Sequence, residues 1–200
     1  QPIKTRGITA HLGASIGVVL YPDDGRCVES LRQNSDLAMY RAKNEAKGEP
    51  CFFDDEMDAA ERDRRTLERD LRTAIEEGRI DIAYQPIVCV ATGEITSVEA
   101  LARWSEPDRG AIPPDIFIAL AEDCGLIDEL GEQILRRACI DGLAWPEKLK
   151  VAVNLSPRQF YSGMLTDTVL RVVEETGFPA HRLQFEITEN LVIQNAAEAF

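Results

Sequence analysis

Four short strings hold the residues best suited to chemistry: Tyr84-Gln85-Pro86-Ile87, Glu99-Ala100-Leu101-Ala102-Arg103-Trp104, Asn154-Leu155-Ser156 and Glu186-Ile187-Thr188-Glu189. Each reads as an apolar, strand-like run that ends in a polar or acidic group. Glu99, Asn154 and Glu186 offer hard oxygen donors of the kind Mg²⁺ and Mn²⁺ prefer. Arg103 suits a phosphate, because its planar donor fork grips two oxygens, and Gln85 can both donate and accept. Gathering a divalent cation, which in turn attracts phosphate, is one chemistry such residues could support. Taken singly, every one of these residues has an ordinary reading. Glu99 is then a solvated carboxylate, Asn154 a turn cap, Glu186 an ion-pair partner for Arg182, and Arg103 a surface cation.

The elements that must position them follow from pattern. Strands are expected near 80–88, 95–104, 150–155 and 183–188. Ala91-Thr92-Gly93-Glu94 forms a turn that lets the first two pair antiparallel. Pro113-Pro114 opens a short helix, and a longer one follows Gly125 to about Leu143. Pro157 ends the third strand, and the helix after it stops at Thr176-Gly177. Such a βαβα series implies a parallel sheet covered by helices, with strand ends converging on one rim as in a β/α barrel. Upstream, His11 to Tyr21 is a β-favouring run, Pro22-Asp23-Asp24-Gly25 a turn, and Val28 to about Lys47 a helix in which Met39 and Tyr40 read as core contacts. Phe52-Phe53 reads as a short closing strand. Met57, Ala60, Leu67, Leu71 and Ala74 mark one helix from about Asp55 to Glu77, interrupted by Arg64 and stopped by Gly78.

Composition narrows the function classes. The 200 residues, 44% apolar and 28% charged, suit one or two ordinary globular domains. The net charge of −13 argues against broad binding to a DNA or RNA polymer. No run reaches the roughly 20 apolar residues of a membrane span, and no signal-peptide pattern is present. The opening Gln1-Pro2-Ile3-Lys4 does not read as a natural start. Cys27, Cys51, Cys89, Cys124 and Cys139 are scattered without a Cys-x-x-Cys, which reads as small core or boundary residues in a reducing cytoplasm. His11 and His181 are isolated and receive no role.

Two resemblances emerge from these strings. Ala14-Ser15-Ile16-Gly17-Val18, Tyr21-Pro22-Asp23-Asp24-Gly25 and Asp36-Leu37-Ala38-Met39-Tyr40-Arg41-Ala42-Lys43 resemble the C-terminal part of a GGDEF domain, the α/β cyclase family that makes cyclic di-GMP. The Gly-Gly-Asp-Glu-Phe signature is not in this sequence. Residues from Tyr84 onward, including Arg109 to Pro114, Phe117-Ile118, Ala121-Glu122 and Asn154 to Phe160, resemble the first half of an EAL domain over about 130 residues. The resemblance implies an α/β chain in which part of a GGDEF domain (1–53) joins a helical linker (54–65) and then the N-terminal part of an EAL-type modified (β/α)8 barrel (66–200).

The EAL resemblance implies a metal-dependent phosphodiesterase that opens cyclic di-GMP to linear pGpG, using two Mg²⁺ or Mn²⁺ ions. Glu99, Asn154 and Glu186 match metal ligands. Glu99, Glu186 and Glu189 match the catalytic carboxylates, Glu189 supporting the neighbouring metal-site loop without binding metal. Gln85, Leu101 and Arg103 match substrate-contacting positions. The family's downstream Asp-Asp-Phe-Gly string, Lys and further Glu do not occur here, so this chain alone is expected to lack activity and to fold at best marginally. The runner-up is a non-catalytic cyclic di-GMP receptor or scaffold, and a third reading is an interaction fragment with no nucleotide role. A homodimer through the EAL part or the linker helix, an upstream sensory domain, and a cytoplasmic location with an upstream membrane tether all fit the resemblance.

Overall fold

In the Ala14–Val18 string, glycine is required by packing. A Cβ on Gly17 would fall 2.2 Å from the Ser35 carbonyl oxygen and 2.4 Å from the Met39 nitrogen, so only glycine lets helix and strand approach this closely. The computed structural model describes residues 3–5, 8–10, 13–44 and 49–187. It divides into two compact units, 1–67 and 68–200.

The first unit contains a hairpin of β1 (Ile3–Thr5) and β2 (Ile8–Ala10), then β3 (Ile16–Val18), α1 (Val28–Asn44) and β4 (Pro50–Phe52). β3 and β4 pair in parallel, Gly17 opposite Cys51. Of the long run expected over His11 to Tyr21, the described residues 13–21 form a strand at Ile16–Val18. α1 buries the small residues Ala38 and Ala42, whereas Met39 and Tyr40 are 45% and 44% exposed. The expectation that those two are core contacts is corrected: the close approach at Gly17 is made by small side chains, and the large ones lie outside it.

α2 (Asp55–Glu76) is one continuous helix, and the division between the units falls within it. Met57, Leu67, Leu71, Ala74 and Ile75 are buried, but Ala60 is exposed. Where Arg64 breaks the apolar stripe, its guanidinium lies over the Tyr40 ring at 5.8 Å.

The second unit is built on β5 (Asp81–Val88), β6 (Ile95–Glu106), β7 (Gly110–Ile112), β8 (Lys150–Asn154) and β9 (Leu183–Glu186). The sheet order is β5-β6-β8-β9, with β7 paired to β6. β5 runs antiparallel to β6, and β6, β8 and β9 are mutually parallel. The helices are α3 (Pro114–Cys124), α4 (Ile127–Gly142), α5 (Pro157–Tyr161) and α6 (Leu165–Thr176). Two details depart from the pattern reading. β6 continues to Glu106 and turns back as β7, and the helical stretch after Pro157 is broken at Ser162–Met164 into two helices.

One face of the sheet is apolar. Ala100, Val151 and Val153 pack with Leu135, Ala138, Cys139, Val172 and Phe178, flanked by Tyr84, Trp145 and Leu183. Trp104 meets Phe117 of α3 edge-on at 5.9 Å. Tyr84 is fixed to α4 by donating its hydroxyl to Asp141 at 2.8 Å. This face anchors the strands to the helices, so the register that buries it also sets what the opposite face presents.

Candidate functional site

Side chains alternate along a strand. With Ala100, Ala102 and Trp104 buried on one side of β6, Glu99, Leu101 and Arg103 therefore share the other. Residues directly opposite each other on neighbouring strands share a face. Gln85 lies opposite Glu99, and Ala83 opposite Leu101. In the parallel pairs Glu99 lies opposite Ala152, and Asn154 opposite Glu186. Gln85, Glu99, Leu101, Arg103, Asn154 and Glu186 thus belong to one face, five of them toward the C-terminal ends of parallel strands. Glu189 lies outside the described residues.

Gln85 departs from the strand-end expectation. Because β5 is antiparallel, its string lies mid-strand, and its level on the sheet is set by pairing with β6. β5 begins with Asp81, opposite Arg103.

The closest contact in this group links distant parts of the chain. The Asn154 Nδ2 donates to Glu99 Oε1 at 2.6 Å. An ionised carboxylate only accepts, so the amide nitrogen must face it, and the amide directs its own oxygen elsewhere. Glu99, Leu101 and Glu186 are half-buried, while Gln85, Arg103 and Asn154 are exposed. Arg103 Nη1 donates to the Ala102 carbonyl at 2.8 Å. Arg182, which on sequence could have paired with Glu186, is 3% exposed and donates to the carbonyls of Leu149, Gly142 and Pro146.

The donor set fits a hard divalent cation in type: two carboxylates and one amide oxygen on three adjacent strands. Among the described residues no three His, Cys, Asp or Glu side chains gather as a metal cluster.

The loop after β8 is held by Ser156, Gln159 and Glu122, to which sequence pattern alone assigns no role of their own. Ser156 caps α5, accepting from Arg158 N at 3.1 Å, while the Gln159 side chain accepts from Ser156 N at 3.1 Å. The Ser156 hydroxyl also donates to Glu122 Oε1 of α3 at 2.5 Å. The capping box is legible as Ser-x-x-Gln. The Glu122 contact, 34 residues away, has no local signal.

Residues 68–199 match the family model of the EAL domain, and residues 1–49 match that of the diguanylate cyclase GGDEF domain. An uncharacterized signaling protein of Caulobacter vibrioides is 46% identical over 99% of this chain and 24% of its own length. The cyclic di-GMP phosphodiesterase NbdA of Pseudomonas aeruginosa is 38% identical over 98% of this chain and 25% of its own. Among solved structures, the PaMucR phosphodiesterase in complex with c-di-GMP is 36% identical with a TM-score of 0.61, over 67% of this chain and 56% of that one. The chain spans about a quarter of the length of the curated relatives it matches.

Proposed function

We propose, from the premise that this chain belongs to the EAL domain family, that the protein containing it hydrolyses cyclic di-GMP to the linear dinucleotide. Residues 1–53 would be the end of a GGDEF domain, 54–65 the helical joint, and 66–200 the first part of the phosphodiesterase domain. The observation that carries the reading is the Asn154–Glu99 hydrogen bond, with Glu186 directly opposite Asn154 on the next strand. It brings two carboxylates and an amide from three strands onto one face.

Phosphodiesterases of this family are metal-dependent. Glu99, Asn154 and Glu186 would hold Mg²⁺ or Mn²⁺ here. Such a cation neutralises phosphoryl charge and lowers the pKa of a bound water toward neutrality. The chain's own groups do the rest. Arg103, exposed at the same rim, binds a phosphate through two donors. Gln85, opposite Glu99, hydrogen-bonds the ligand as donor or acceptor. Leu101, between Glu99 and Arg103 on that face, supplies apolar contact. Glu189 is assigned a supporting role by its place in the Glu-Ile-Thr-Glu string.

The test is hydrolysis of cyclic di-GMP by the full-length protein with Mg²⁺ or Mn²⁺, beside a Glu99→Ala control. Linear dinucleotide from the wild type and none from the control is the expected result. Saturable binding without product would move the protein to the receptor class.

A further inference from the structure

Three consecutive residues at the end of β8 are each anchored to a different element. Asn154 donates through its side chain to Glu99 on β6. Leu155 donates its backbone N–H to the Glu186 carbonyl on β9 at 2.8 Å. Ser156 is held through its backbone by Gln159 of α5 and through its hydroxyl by Glu122 of α3. That hydroxyl both donates, to Glu122, and accepts, from Arg158 N, so its orientation is fixed from two sides. Arg158 also donates to the Glu122 carbonyl, which joins α5 to the end of α3 a second time.

Gln159 is itself locked. It is 6% exposed and its amide closely approaches Gly131 of α4, where an added Cβ would stand 1.9 Å from its Nε2. Any side chain at 131 would force the Gln159 amide, which accepts from Ser156 N, to move. The route from α3 and α4 to the end of β8 is therefore short: Glu122 holds the Ser156 hydroxyl, Gly131 abuts Gln159, Gln159 holds the Ser156 backbone, and Ser156 follows Asn154 closely in the chain.

We infer that Glu122 is a positioning residue for the Asn154 amide, acting through Ser156 to aim the amide oxygen into the site face while its nitrogen stays on Glu99. This rests on the reading of Glu99, Asn154 and Glu186 as cation ligands. Hydrogen-bond partners of metal ligands typically change metal affinity by about 10–100-fold when removed. Glu122 stands one step further back, so the lower end of that range is expected.

The experiment is a Mn²⁺ titration of the metal-stripped full-length protein, counting as site binding only what a Glu99→Ala variant loses. Glu122→Ala is expected to weaken that binding about tenfold. It should also raise the Mn²⁺ concentration for half-maximal hydrolysis in step, with kcat at saturating Mn²⁺ largely kept. Glu122→Gln, whose amide oxygen still accepts from Ser156, is expected to stay within about twofold of wild type. Gly131→Ala, which displaces Gln159, should act like Glu122→Ala. A Glu122→Ala protein that melts lower but binds Mn²⁺ as wild type overturns the inference, since Glu122 would then only hold the fold. Absence of Glu99-dependent Mn²⁺ binding in the wild type overturns it as well. Mn²⁺ binding that depends on Glu122, in a protein that does not open cyclic di-GMP, would uphold the positioning role and reject the substrate.

Discussion

Gln85 and Glu99 face each other across the antiparallel β5–β6 pair, fourteen positions apart in sequence and directly opposed in register. One carries an amide suited to a nucleotide, the other a carboxylate suited to a cation, so their losses should separate. Glu99→Ala removes a charge that nothing else at that position of β6 replaces, and hydrolysis should fall by at least about a thousandfold. Gln85→Ala removes one ligand contact and should raise KM about tenfold with cation binding unchanged. Steady-state kinetics alongside Mn²⁺ titration checks both, and equal loss of cation binding in the two variants would break the division of roles.

The pairing of Glu132 with two arginines makes α4 and α6 acid-sensitive. Arg171 grips both Glu132 oxygens, at 2.6 and 2.7 Å, and Arg136 adds a contact at 3.2 Å. The Arg171 hydrogen bonds hold the Glu132 carboxyl below its ordinary value near 4.5, burial opposes them, and Arg136 assists. A depressed carboxylate contributes stability above its unfolded pKa and loses it as pH falls through the folded one. Glu132→Gln should therefore lower the melting midpoint by a few degrees at pH 7, and the difference should shrink as the pH falls below the ordinary carboxyl value near 4.5. A gap that persists at low pH would mean the contact is not carried by charge.

The five cysteines should separate by environment. Cys27 is exposed, and Ser30 beside it lowers its thiol pKa; Thr92 does the same for Cys89. Cys139 is fully buried, and burial pushes its thiol up to about 11. Alkylation near pH 7.5, followed by peptide mass spectrometry, should label Cys27 and Cys89 first and Cys139 at least about tenfold more slowly. Rapid labelling of Cys139 would show that the α4–β8 core opens readily.

Much of this architecture is legible from local pattern, because the residues that set each element lie within it. The β6 string alternates Ala100, Ala102 and Trp104 against Glu99, Leu101 and Arg103, and the structure buries the first set. α2 is continuous as its apolar spacing implies. What pattern could not supply depends on partners. Tyr84-Gln85-Pro86-Ile87 looks like a strand end, yet an antiparallel neighbour makes it mid-strand. Met39 and Tyr40 read as core until the backbone approach at Gly17 gives that place to Ala38 and Ala42. β7 exists only as a partner to the extended end of β6. The Glu122–Ser156 contact follows from the packing of α3 beside the β8 loop, and no periodicity encodes it.

Arg182 stands at the start of β9, and among the described residues no carboxylate pairs with its guanidinium. It is 3% exposed, donates to Leu149 O at 2.8 Å, Gly142 O at 2.9 Å and Pro146 O at 3.3 Å, and lies 5.0 Å above the Phe178 ring. One side chain thus satisfies three carbonyls of the connection between α4 and β8 while fixing the approach to β9. Lysine cannot reproduce this, since a single ammonium cannot span the same fork or stack on the ring in the same way. Arg182→Lys should cost about 2–3 kcal/mol, the scale of losing charged hydrogen bonds to buried acceptors. The damage should concentrate locally, with backbone hydrogen exchange over residues 146–153 accelerating well before that of α2. Because Asn154 ends β8 and Glu186 ends β9, loosening here should also weaken Mn²⁺ binding in the full-length protein. Unchanged exchange over residues 146–153 in the lysine variant would mean that other packing holds the β8–β9 pair.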